Sequence, residues 1–196
     1  MRLHYRAKFD GDINSLPHGE HKPGAVKFKE PENPKKLGII TNGIALGMYF
    51  ITLPIFVTIN GGISLSSWLI GCGISLLLAF PHELLHAVCF KEDVYLYTNY
   101  KNGLLFVTGP EDMSKVRFVF MLLFPNLVFG IIPFILFLIN PNLELLGCVG
   151  AFSIPMGAGD YFNCINALRQ IPKGARTYLY GFNSWWYKPL EEKSNR

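Results

Sequence analysis

Four apolar stretches run along the chain, at residues 37–59, 63–90, 118–139 and 143–168. Polar segments at 1–36, 91–117 and 169–196 flank them. Two short turns, Asn60-Gly61-Gly62 and Asn140-Pro141-Asn142, join the first stretch to the second and the third to the fourth. No Lys, Arg, Asp or Glu occurs between residues 37 and 81, or between 118 and 143. A helix needs about 20 apolar residues to cross the hydrocarbon core of a bilayer. The pattern therefore predicts an all-α membrane protein with four transmembrane helices.

The segment after the second stretch breaks this pattern. Residues 94–100 are rich in β-branched and aromatic side chains, Lys101-Asn102-Gly103 is a turn signal, and residues 104–108 supply a return strand. This predicts a small cytoplasmic β-hairpin between the second and third helices. The tail carries Tyr178, Tyr180, Trp185, Trp186 and Tyr187 beside basic residues, which reads as an interfacial aromatic belt. The expected organisation is an N-terminal segment 1–36, a four-span membrane domain 37–168 and an aromatic, basic tail 169–196.

Charge orients the helices. The three polar segments hold eight, four and six Lys and Arg, which is all 18 in the chain, and the two short turns hold none. Four spans put every basic segment on one side, and an odd number would divide them. The positive-inside rule makes that side cytoplasmic, so both termini are expected inside. The net charge of +4 is then explained by helix flanks, and no nucleic-acid partner is expected. The polar first 36 residues do not have the form of a secretory signal, so insertion without cleavage is expected. Cys72, Cys89, Cys148 and Cys164 all lie in apolar stretches without paired spacing. They read as small hydrophobes, not as a disulfide framework or a cysteine metal site.

The chemistry lies in His82-Glu83-Leu84-Leu85-His86. Two histidines four residues apart share one helix face. They can hold one metal ion, and Glu83 can act as general base on a metal-activated water and then as acid toward the leaving amine. Ionisable groups inside a membrane are costly and mark function. A catalytic zinc takes a third protein ligand and keeps one position open. Depth selects it. His82 is 19 residues after Ile63, about 28 Å down its helix. Asp160 is 17 residues after Leu143, about 26 Å down its own. Glu144, at the opposite end, is roughly 25 Å from the site. The expected ligands are His82, His86 and Asp160.

Residues 155–159, Pro-Met-Gly-Ala-Gly, should loosen the helix before Asp160. Irregular backbone at that depth is tolerated beside a wet cavity. Pro125-Asn126 in the third stretch lies at the same depth. Asn126 reads as a packing contact or an oxyanion donor, and Asn163, three residues after Asp160, as a residue supporting the ligand.

These residues resemble a bacterial membrane family described as putative zincin peptidases, over residues 35 to the aromatic tail. They are also similar to the core of site-2 proteases, in which the helix with the paired histidines and the helix with the aspartate are separated by one span. Pro155 and Asp160 keep the proline-to-aspartate spacing of that group's N-x-x-P-x-x-x-x-D-G motif. Phe152 stands where that motif has Asn, and Tyr161 where it has Gly. The resemblance implies cleavage of membrane proteins or peptides within or beside the bilayer, with zinc as cofactor, and a substrate strand pairing with the hairpin edge. The leading expectation is thus a zinc-dependent intramembrane endopeptidase in a multi-pass cell membrane protein. The alternative is a non-catalytic membrane protein with a structural or partner-binding metal site. A small transporter, lacking any evident inverted repeat, comes third.

Overall fold

Asn33 starts the first helix. Its side chain accepts a hydrogen bond from the Lys35 N–H, and Pro34 occupies the first turn. The resulting helix α1 (Pro34–Asn60) ends at Gly61, whose φ of 72° lies in the left-handed region that terminates helices. The structure, a computed structural model, describes residues 1–9, 12, 15–31, 33–99, 104–181 and 183–189.

After the turn come α2 (Leu65–Leu77) and α3 (Ala79–Ala87), then α4 (Lys115–Asn126), a π-helical segment (Leu127–Ile131) and α5 (Ile132–Ile139). The chain closes its helical part with α6 (Glu144–Met156) and α7 (Ala158–Gln170). Among the described residues, three helical stretches are long and apolar enough to cross a membrane: Lys35–Asn60, Leu65–Ala87 and Lys115–Ile139. Each corresponds to an apolar stretch of the sequence. The fourth stretch is split at Gly157 into α6 and α7, 13 residues each. Either alone is about 20 Å long, short of the roughly 30 Å core.

Proline explains the irregular points. Pro81 lacks the N–H that would close on the Leu77 carbonyl, and the chain turns at Leu78 between α2 and α3. Pro125 precedes the π-helical segment, and Pro155 the break at Gly157. Each proline also releases the carbonyl four residues back. Pro155 releases Ala151, whose oxygen accepts from Thr52 Oγ1 of α1 at 3.2 Å.

Helix α6 packs against α1, α2 and α5, and α4 against α3 and α7. Small residues on α6 allow this. A Cβ on Gly150 would lie 2.6 Å from Phe134 Cβ, so only glycine lets α5 approach this closely. Phe56, Phe134, Phe137, Cys148 and Ala151 form the core at that level.

The expectation of an all-α protein with one hairpin needs correction: the described residues include seven strands in two sheets. The hairpin is present as β3 (Asp93–Asn99) and β4 (Leu104–Thr108), antiparallel, although its turn residues 101–103 lie outside the described residues. Strand β1 (Arg2–Lys8) adds in parallel to β3, giving the order β1-β3-β4. The second sheet has the order β2-β7-β6-β5, built from β2 (Val26–Lys27), β5 (Met113–Ser114), β6 (Arg176–Tyr180) and β7 (Asn183–Tyr187). The aromatic tail thus folds as the β6–β7 hairpin, with Tyr178 only 2% exposed. Alternating side chains let Tyr and Trp fill one face of a sheet as readily as a bilayer interface. Strands from all three polar segments of the chain pair with one another in these two sheets.

Candidate metal centre and catalytic site

His82, Glu83 and His86 lie on α3, immediately beyond the turn at Leu78. One ligand-type atom from each comes within 4.8 Å of the others. Asp160, in the first turn of α7, reaches the same point from the other side. Its Oδ2 lies 3.0 Å from His82 Nε2, and its Oδ1 3.3 Å from His86 Nε2. Glu144 lies at the far end of the helices, where Asn60 Nδ2 donates to it.

His86 is oriented from behind. Its Nδ1 lies 2.8 Å from the Met121 carbonyl oxygen. A carbonyl can only accept, so Nδ1 carries a proton, and this leaves Nε2 to face Asp160. That carbonyl is available because Pro125, four residues on, has no N–H to offer it. Proline spacing in the sequence could have revealed this partner.

Asn126 holds the carboxylate. Only 1% exposed, it donates from Nδ2 to Asp160 Oδ2 at 2.8 Å and to the Leu122 carbonyl at 3.0 Å. Both partners are acceptors, which fixes the amide orientation. Its Oδ1, without a hydrogen-bond partner among the described residues, faces Gly157. A Cβ on that glycine would lie 1.6 Å from Oδ1. The break between α6 and α7 therefore falls where only glycine leaves room for the amide. Asn163 lies one turn beyond Asp160, half-buried. Among the described residues, no hydrogen bond joins it to the cluster.

Glu83 is held by β4. Its Oε2 accepts the Val107 N–H at 3.1 Å. β4 is the edge of its sheet, so an N–H not used in pairing with β3 is free to turn toward the helix. Nothing local in the sequence announces this contact. A cavity of about 220 Å³ opens beside His82 and Glu83, walled by Leu105 of β4, Phe129 and Met156.

The end of α3 is braced by charges. Arg117 donates twice to the Cys89 carbonyl, at 2.9 and 2.7 Å, and pairs with Glu111 at 2.6 Å. Glu111, 6% exposed, also accepts from the N–H groups of Lys91 and Glu92. Burial alone would push its carboxyl up. The Arg117 guanidinium and the two N–H groups outweigh that and hold it below the usual carboxylate range. Asp112 next to it behaves likewise: burial opposes ionisation, but Arg176 and the Tyr187 hydroxyl hold the carboxyl low. The second sheet is thereby tied to the segment that enters α4.

The donor set fits zinc. Two imidazole nitrogens and a carboxylate, with one imidazole fixed by a carbonyl and the carboxylate by an amide, are the atoms and supports a catalytic zinc takes. His86 Nε2 and Asp160 Oδ1 face one another at 3.3 Å, close enough for both to be ligands of one cation.

Comparison with known proteins agrees. A family model described as putative zincin peptidase matches residues 75–176, just over half of the chain. The matched region includes His82, Glu83, His86, Asn126 and Asp160. No curated protein and no solved structure matches the chain.

Proposed function

The chain belongs to the putative zincin peptidase family, whose cofactor is zinc, and from that premise we propose that it is a zinc-dependent intramembrane endopeptidase acting on membrane proteins. The observation that carries the reading is the meeting of His82 and His86 of α3 with Asp160 of α7 at 3.0 and 3.3 Å. These three side chains hold the metal. When bound, zinc supplies an acidified water and a Lewis acid for the scissile carbonyl. Glu83 takes a proton from the attacking water and delivers it to the leaving amine. Val107 holds the Glu83 carboxylate in place, Met121 sets the tautomer of His86, and Asn126 steadies Asp160.

We take the chain to cross the membrane four times, with α6 and α7 together forming the fourth span and both termini in the cytoplasm. The pairing of strands from all three basic segments supports an even number of crossings, since segments on opposite sides could not share a sheet. The site then lies near the cytoplasmic end of the helices. An extended substrate segment would pair with the open edge of β4.

Membranes from cells expressing the wild type or Glu83→Gln test this reading by mass-spectrometric comparison of protein termini. The expected result is a set of new termini in or beside apolar segments of membrane proteins, present only with the wild type. Identical termini in the two membranes would overturn it.

A further inference from the structure

The cavity is lined by His82 and Glu83 and by two further polar side chains. These are Ser75 of α2 and Ser153 of α6, at 2% and 9% exposure. Their protons are both committed. Ser153 Oγ donates to Ser75 Oγ at 3.1 Å, and Ser75 Oγ donates to the Val149 carbonyl at 3.2 Å. The pair therefore offers the cavity acceptor lone pairs and no donor. The walls are Leu78, Leu105, Phe129 and Met156.

We propose that this cavity is the subsite for one substrate side chain next to the scissile bond, and that it selects a short residue with an apolar body and a donor tip, Thr or Ser. The inference rests on the peptidase reading above and names a substrate preference for the same site. Three observations carry it. First, the volume of about 220 Å³ is room for a side chain and lies below the range of about 300–1,000 Å³ usual for larger ligands. Second, the acceptor-only serine pair repels a carboxylate and satisfies a hydroxyl proton. Third, a Thr or Ser hydroxyl in an intact helix bonds its own backbone one turn back. Unwinding that helix for cleavage leaves the hydroxyl without a partner in an apolar medium, and the Ser153 oxygen supplies one.

The test uses full-length protein in proteoliposomes and a fluorescent peptide of about 20 Leu and Ala residues with one central position varied. Thr and Val, alike in size, are compared there, with Asp as the charged control. Binding to Glu83→Gln is read at equilibrium, so the result does not depend on turnover. Thr is expected to bind about five-fold more tightly than Val, the value of one neutral hydrogen bond, and Asp more weakly than either. In Glu83→Gln/Ser153→Ala the ratio of Thr to Val should fall to about one. Equal binding of Thr and Val to Glu83→Gln, a ratio unmoved by Ser153→Ala, or no saturable binding would each overturn the subsite. Selective binding by Glu83→Gln without cleavage by the zinc-loaded wild type would instead overturn the peptidase reading and leave the subsite standing.

Discussion

The Nδ1 of His86 donates to the carbonyl oxygen of Met121 at 2.8 Å, and that oxygen is free to accept because Pro125 lacks the N–H that would otherwise close the helical turn. A helix defect in α4 thus supplies the partner that orients a metal ligand on α3. Restoring the N–H should undo this. Pro125→Ala is predicted to return the Met121 carbonyl to its own helix and lower zinc affinity about 10- to 100-fold, the usual cost of losing such support. Competition with a chelator of known affinity measures it.

Gly157 and Gly159 offer a matched pair of substitutions. A Cβ at Gly157 would lie 1.6 Å from Asn126 Oδ1, whereas one at Gly159 would meet nothing within 4 Å. Gly157→Ala should push Asn126 away from Asp160, reduce zinc content and cost roughly 1–3 kcal/mol by overpacking. Gly159→Ala should leave both zinc content and thermal unfolding close to wild type. Metal analysis and a melting curve on the two variants check the contrast.

Val107 holds Glu83 through a backbone N–H, so only proline removes the contact without changing the base itself. An edge strand tolerates proline where the N–H is not used in pairing. Val107→Pro is expected to reduce kcat about ten-fold, since a general base contributes through its placement, with zinc content unchanged. Steady-state kinetics beside metal analysis separates this from loss of the metal.

Legibility in the sequence followed the range of the interactions. The spacing of His82 and His86, and the depth of Asp160, are properties of single helices and could be counted along the chain. The weak point at residues 155–159 was also local, and the break falls at Gly157. The sheets were not legible beyond the β3–β4 hairpin. Strand β1 pairs in parallel with β3, with Arg2 opposite Asp93, and no local signal specifies a partner so distant in sequence. β2 and β5 are two residues each, too short for any alternation to register. The tail residues Trp185 and Trp186 suit an interface and a strand equally well. Asn126 stands out in the sequence as a polar residue at the right depth, but its bond to Asp160 depends on how α4 and α7 pack.

Glu111, which precedes the Lys115–Ile139 stretch and pairs with Arg117, gives a pH-dependent prediction. The Glu111 carboxyl is held below its ordinary value of 4.5, so the folded state favours its ionised form. That stabilisation is present above the ordinary value and is lost as pH falls through the lowered one. Arg117→Gln should cost about 2 kcal/mol near neutral pH, since it leaves a mostly buried carboxylate without its charged partner. It should also shrink the loss of stability that the wild type shows on acidification below about pH 4.5. Melting temperature against pH for the two proteins reads both effects.

The central claim is tested most directly by adding zinc stepwise to metal-free proteoliposomes of wild type and Glu83→Gln that contain a membrane protein found to be cleaved. Cleavage by the wild type should rise with zinc and level off at one equivalent, while Glu83→Gln takes up the same equivalent and cleaves nothing. Cleavage without zinc, or equal cleavage by the zinc-loaded Glu83→Gln variant, would contradict the account.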